Sequence, residues 1–112
     1  MKTLIGLMIA VALLLVAEKT YAEKGTVTYV DDVAAIINDN CVVCHREGGI
    51  GPMTFESYEA VRPWSPLIQY KVASREMPPY AYDENIGIQN LHGDWRLSQK
   101  DIDTLIEWVD MG

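Results

Sequence analysis

The chain has 112 residues, of which 9 are basic and 16 acidic, and its formal net charge at pH 7 is −7. A polypeptide of this length forms one small domain, and so acidic a body is a poor partner for nucleic acid or for an anionic membrane surface. We expect a protein partner with a basic docking face instead.

An apolar run near the N-terminus predicts that the protein is exported. Lys2 precedes "LIGLMIAVALLLVA" (4–17), and the small residues Thr20 and Ala22 follow it. This order is typical of a secretory signal peptide over 1–22, cleaved after Ala22. The apolar run is also shorter than the roughly 20 residues that span a bilayer. We therefore expect a periplasmic or otherwise exported protein that is not inserted in the membrane after cleavage, with an uncleaved N-terminal anchor as the alternative.

Cleavage would leave a single domain over 23–112, with seven basic and fifteen acidic residues and a net charge near −8. A domain of this size buries only about 60 to 65% of the surface that its unfolded chain exposes. A large buried ligand would therefore contribute much to its stability.

The first half of this domain predicts one helix followed by a loop. "TVTYV" (26–30) is a short β-prone lead, after which Asp31 or Asp32 can cap a helix that has Val33, Ile36 and Ile37 on one face. The helix leads into Cys41. The glycines and the proline of "REGGIGPM" (46–53) then predict a loop.

Two further helical regions and a long loop are predicted in the second half. A short helical stretch opens at Thr54, and a helix runs from about Ser65 to Arg75. Residues 77–95 carry prolines and glycines with little periodicity, so we expect a long loop that wraps a ligand. Ser98 and Asp101 form a capping-box variant at the start of the last helix, whose apolar residues recur at helical spacing: Ile102, Leu105, Ile106 and Val109.

The only two cysteines lie in "CVVCH" (41–45). A disulfide would close a very short loop and stabilise little. A thioredoxin-like dithiol would need a preceding βαβ pattern, and a zinc site would need Cys41, Cys44 and His45 together with the distant His92. These alternatives stay open, but attachment of a c-type haem uses every residue of the motif. The two sulfurs bond to the porphyrin and His45 ligates the iron.

The order of an amphipathic helix, CxxCH, a Gly-Pro loop, a helix, a Met-Pro segment and a terminal helix resembles the monohaem class I cytochrome c family. "CVVCH" is the most specific part, while "GPM" (51–53) and "MPP" (77–79) occur in the expected order. More narrowly, "CHREGGIGPMTF", "REMPPY" and "LSQKDIDTLIEWVDMG" are similar to small exported cytochrome c domains, some of them fused to copper-dependent monooxygenase-like modules. The resemblance implies an all-α fold of three to four helices, with long loops around one haem c attached through Cys41 and Cys44.

The resemblance also implies two axial ligands and their supports. His45 would be the proximal ligand, with the Pro52 carbonyl accepting its other N–H. Met77 is the expected sixth ligand because Pro78 keeps it out of helical geometry, and His92 or an open position are the alternatives. The side chains that could each reach a haem propionate, with solvated surface as the equal alternative, are Arg62, Lys71, Arg75, Trp95 and Arg96.

A haem with both axial positions filled implies an electron-transfer protein rather than an enzyme. The alternatives are an electron-feeding accessory domain of a larger redox enzyme, such as a copper monooxygenase, and a haem-based ligand sensor or peroxidase if the sixth position is open.

Overall fold

Three continuous helical segments form the regular structure of residues 25–80, 83 and 85–112, the part of the chain that the computed structural model describes. The first is a π-helical turn, Tyr29–Val33, that continues as helix α1 (Ala34–Asn40). The second comprises α2 (Tyr58–Val61), a 3-10 turn (Arg62–Trp64) and α3 (Ser65–Ala73), and the third is α4 (Gln99–Asp110). The predicted all-α class is confirmed, since these described ranges contain no strand.

The first helical segment begins earlier than the sequence predicts. Thr28 is its N-cap, because the Thr28 hydroxyl accepts the Asp31 N–H at 3.1 Å while the Asp32 carboxylate accepts the Thr28 N–H at 2.8 Å. This reciprocal pair satisfies backbone donors that a helix start leaves without partners. The predicted β-prone lead is therefore wrong from Tyr29 onward, and the two aspartates lie in the first turn rather than at the cap.

The bounds of α2 and α3 also differ from the prediction. Phe55 is not helical because its N–H donates to the His45 carbonyl at 2.8 Å, so α2 starts after Ser57, whose hydroxyl accepts the Ala60 N–H at 3.3 Å. Helix α3 ends at Ala73, before the predicted Arg75, because Arg75 adopts a left-handed conformation with φ of +56°.

Helix α4 begins where the sequence predicts and supplies much of the core. Ser98 caps it by accepting the Asp101 N–H at 3.1 Å. Its buried face packs against α3 and against the Tyr29–Val33 turn, and α3 is tied to it by Gln69, whose amide donates to the Asp110 carboxylate at 2.6 Å. The buried apolar residues are Val33, Ile37, Phe55, Val61, Ile68, Val72, Leu97, Ile102, Leu105 and Trp108.

No helix within the described ranges is long and apolar enough to cross a membrane. The predicted signal peptide (1–22) and its cleavage site lie outside the described residues. Their assignment stays a prediction from the sequence.

Candidate functional site

The "CVVCH" residues form one tight turn at the end of α1. The Cys41 N–H donates to the Ile37 carbonyl at 2.9 Å, and the Cys41 carbonyl accepts the N–H groups of Cys44 at 3.1 Å and His45 at 2.9 Å. Cys41 and Val42 pack against the core, and Cys41, Cys44 and His45 line a cavity of about 590 Å³. One turn of chain therefore presents both thiols and the imidazole to the same space.

The two thiols are free, so the structure gives no support to the disulfide alternative. Burial raises the pKa of the Cys41 thiol to about 11, which keeps this thiol protonated at neutral pH. Within the described part of the chain no three His, Cys, Asp or Glu side chains are arranged to hold a metal ion, and His92 is exposed and does not line the cavity. The zinc alternative has no support either.

The His45 imidazole is fixed by two contacts. Its Nδ1 lies 3.1 Å from the Met53 carbonyl oxygen and donates its proton there, because a carbonyl can only accept. The Phe55 ring stacks on the other side, with ring centroids 4.5 Å apart and an interplanar angle of 21°. Because Nδ1 is occupied by this hydrogen bond, Nε2 is the ring nitrogen that remains available to a ligand.

The acceptor of this hydrogen bond is the Met53 carbonyl, whereas the predicted acceptor was the Pro52 carbonyl. The Gly51 N–H donates to the Cys44 carbonyl at 2.8 Å, and the Phe55 N–H donates to the His45 carbonyl at the same distance. These two bonds fix the register of the loop, so that Met53 brings its carbonyl to Nδ1. Pro52 remains a residue of the cavity wall.

Gly51 passes so close to the imidazole that a side chain would not fit. A Cβ atom at Gly51 would lie 2.6 Å from His45 Nδ1 and 2.9 Å from the Cys44 carbonyl oxygen, and one at Gly49 would also meet the Cys44 carbonyl. Sequence reasoning treated these glycines only as breakers of regular structure. The close approach gives them a second role, because it allows the loop to pack directly against His45.

The end of helix α3 brings Met77 to the cavity. The Arg75 N–H donates to the Val72 carbonyl at 3.1 Å, and the Glu76 N–H donates to the Lys71 carbonyl at 2.9 Å. These two bonds form a Schellman motif in which Arg75 adopts the left-handed conformation. The Lys71 carbonyl also accepts the Met77 N–H at 3.2 Å. Met77 lines the same cavity as His45, although the two residues are far apart in the sequence.

The walls of the cavity are apolar and remain accessible. Among its lining residues Ile50 is 91% exposed, Trp95 59%, Leu67 42% and Trp64 41%. Exposed apolar groups collected around one opening indicate a binding site, and the cavity volume lies within the range of about 300 to 1,000 Å³ that is usual for such sites. Lys71 is the one charged side chain among the described residues of the lining.

Lys71 forms an ion pair with Glu76 at the cavity edge. The hydrogen bond between the two side chains raises the pKa of Lys71 and lowers the pKa of Glu76. Of the five side chains predicted to reach a carboxylate of the ligand, only Lys71 and Trp95 line the cavity in the described structure. The three arginines make hydrogen bonds elsewhere: Arg62 with Ser65 and Gly112, Arg75 with Leu97 and Gln99, and Arg96 with Asp94 and Gln89.

Met53 packs against the core and also lines the cavity, and Trp64, Leu67 and Phe55 were not predicted as part of the site. Trp64 and Leu67 are three residues apart and lie next to the buried Ile68. This helical spacing could have predicted that the start of α3 has a second apolar face. For Phe55 the sequence carries no signal, because its stacking on His45 depends on the path of the loop.

Comparisons of the chain with protein-family models, with curated proteins and with solved structures find no match.

Proposed function

We propose that the cavity holds one haem c, bonded covalently through Cys41 and Cys44, and that the protein is an exported electron carrier. His45 would ligate the iron through Nε2 and Met77 through its thioether. The observation that carries this proposal is that Met77 and the CxxCH turn, distant in sequence, line one apolar cavity. The domain would then adopt a small cytochrome c fold, in which the loops on either side of the second helical segment enclose the haem.

The residues present fit such a group in three respects. Both thiols are unpaired and adjoin the cavity. The His45 ring is held by the Met53 carbonyl and by Phe55, the kind of support that fixes the orientation of a metal-bound histidine. The apolar walls match the apolar faces of a porphyrin. Lys71 and Trp95 are the proposed partners of its carboxylates.

A haem iron with histidine and methionine ligands takes up and releases a single electron and has no vacant position for a substrate. The chain contributes the rest. His45 and Met77 would ligate the iron, Met53 and Phe55 fix the orientation of the imidazole, and the apolar walls would limit the access of water to the site. The strongly acidic surface favours association with a redox partner through a basic face, and this association is expected to weaken as salt is added.

The first test is the mass and colour of the purified, exported protein. We expect a coloured protein heavier than its polypeptide by one haem, and loss of the covalent link at the replaced position in Cys41→Ser and Cys44→Ser. A colourless protein with the mass of its amino acids alone would overturn the proposal.

The sixth ligand is tested by absorption spectra of the ferric and ferrous protein. Met77→Ala is expected to remove the red sulfur-to-iron charge-transfer band and to allow carbon monoxide to bind the ferrous protein. His92→Ala is the matched control, because His92 is exposed and does not line the cavity, and its spectrum should equal that of the wild type. The opposite pattern would assign the position to His92. Carbon monoxide binding to the unmodified protein would instead favour the sensor or peroxidase alternative.

A further inference from the structure

Trp95 makes a hydrogen bond to the segment that contains Met77. Its indole Nε1–H donates to the Pro79 carbonyl at 2.8 Å, across sixteen positions of sequence, and its ring lines the cavity beside Met77 and Pro78. The bond therefore joins Trp95, at the end of the 77–95 loop, to the residue two positions after Met77, the proposed iron ligand.

The Trp95 ring is itself held by its neighbours. It meets the Tyr80 ring edge to face, with centroids 6.4 Å apart and an interplanar angle of 88°. The Arg96 guanidinium lies 4.6 Å from the centroid of the Tyr80 ring and bonds to the Asp94 carboxylate through Nε at 2.9 Å and 3.0 Å. Contacts of this kind restrict the rotamers of the residues on both sides of Pro79.

Met77 is consequently fixed from two directions. On its N-terminal side the helix end holds the Met77 N–H on the Lys71 carbonyl. On its C-terminal side Met77 has no such helical support, and Trp95 supplies the bond to Pro79. Without that bond the backbone between Met77 and Tyr80 would lose its hydrogen bond to Trp95, and the ring contacts of Tyr80 would be left to hold its C-terminal side.

We propose that Trp95 is a positioning residue for Met77: its indole N–H holds the Pro79 carbonyl and so keeps the thioether at the axial position. This inference rests on the proposed function, because it assumes that Met77 is the sixth ligand. The role belongs to the indole N–H group and not to the bulk of the ring.

The test compares Trp95→Phe with Tyr70→Phe in the haem-loaded protein. Tyr70 is an exposed aromatic residue of α3 that does not line the cavity, and its hydroxyl has no hydrogen-bond partner among the described residues. Each variant is titrated with imidazole in the ferric state, since imidazole competes with the thioether. We expect Trp95→Phe to bind imidazole about five-fold more tightly than the wild type, which corresponds to about 1 kcal/mol, the usual contribution of one hydrogen bond.

Tyr70→Phe should bind imidazole within about two-fold of the wild type, and the charge-transfer band should weaken in Trp95→Phe alone. Denaturation midpoints of both variants show whether a change is global, because a purely structural role would lower the midpoint of Trp95→Phe without raising its imidazole affinity. Equal imidazole affinity in the two variants would overturn the inference. A wild-type protein without haem, or without the sulfur-to-iron band, would instead refute the proposed function itself.

A second measurement needs no variant. The Trp95 indole proton is expected to exchange with solvent more slowly than the Trp64 indole proton in nuclear magnetic resonance spectra of the wild type, because the described residues supply a hydrogen-bond acceptor to the first and none to the second. Exchange of both protons at the same rate would remove the basis of the inference, whether or not haem is bound.

Discussion

Replacing Gly51 by alanine is expected to destabilise the domain by acting directly on His45. The added methyl group would lie 2.6 Å from Nδ1 and 2.8 Å from Cγ of the imidazole, so the ring has to move. Excess volume of this kind costs about 1 to 3 kcal/mol, and loss of the Nδ1 bond to Met53 adds about 1 kcal/mol. We therefore expect the free energy of unfolding of Gly51→Ala to fall by about 3 kcal/mol, and the melting temperature by about 12 to 24 °C.

Two other glycines separate this effect from the intrinsic cost of the substitution. A Cβ atom at Gly25 meets no atom within 4 Å, so Gly25→Ala should leave stability unchanged. Gly48 also has open space but a φ of +70°, so Gly48→Ala should cost about 1 kcal/mol through backbone strain alone. The assay is urea denaturation of the three variants beside the wild type. If Gly51→Ala were no less stable than Gly48→Ala, steric contact with His45 would not be the reason for the glycine.

Three further predictions concern the scaffold. Ser98→Ala should lower the free energy of unfolding by about 1 kcal/mol and Ser98→Gly by only a few tenths, because both lose the hydroxyl but glycine suits the cap position; equal losses in calorimetry would contradict this. Leu105 is fully buried, so Leu105→Ala should cost about 3 kcal/mol in urea denaturation, and a loss below about 1 kcal/mol would show that the core closes around the gap. The hydrogen bond from the Arg96 side chain lowers the pKa of the Asp94 carboxyl in the folded state. The stability that this adds is complete above the ordinary aspartate pKa and is lost as the pH falls through the lowered value. The urea midpoint of Asp94→Asn should therefore depend less on pH between about pH 6 and about pH 2 than that of the wild type. Asp39→Asn, which removes an exposed carboxylate without a partner in the described structure, is the charge-matched control.

The helices could be predicted from the sequence where a local rule determines them. Ser98 and Asp101 mark the start of α4, and the periodic apolar residues Ile102 and Leu105 identify its buried face, because both signals act within one or two turns of chain. The start of the first helical segment was misplaced because three neighbouring residues can each serve as an N-cap. The prediction named Asp31 or Asp32, but Thr28 is the residue that accepts the backbone N–H.

The site could be predicted only in part. The spacing of Cys41, Cys44 and His45 is local, so their convergence on one turn follows from the sequence. The acceptor for the imidazole and the stacking of Phe55 depend on how a loop returns, and a one-residue shift of register exchanged Pro52 for Met53. Long-range bonds of this kind leave no periodic trace in a sequence.

Hydrogen bonds near its two ends hold the 77–95 loop together at the point where it leaves and rejoins the scaffold. The Arg75 guanidinium reaches from the end of α3 to the Gln99 side chain at 2.8 Å and to the Leu97 carbonyl at 3.5 Å, and Trp95 reaches Pro79. Insertions or deletions between these closing bonds, around Gly87, would change the loop entropy by only a fraction of a kcal/mol for modest changes in length. A peptide tag inserted there should disturb the hydrogen bonds that Gln89 makes with Ile86 and Arg96 but leave the core and the helix ends as they are, so this stretch is suited to carry variable recognition sequences.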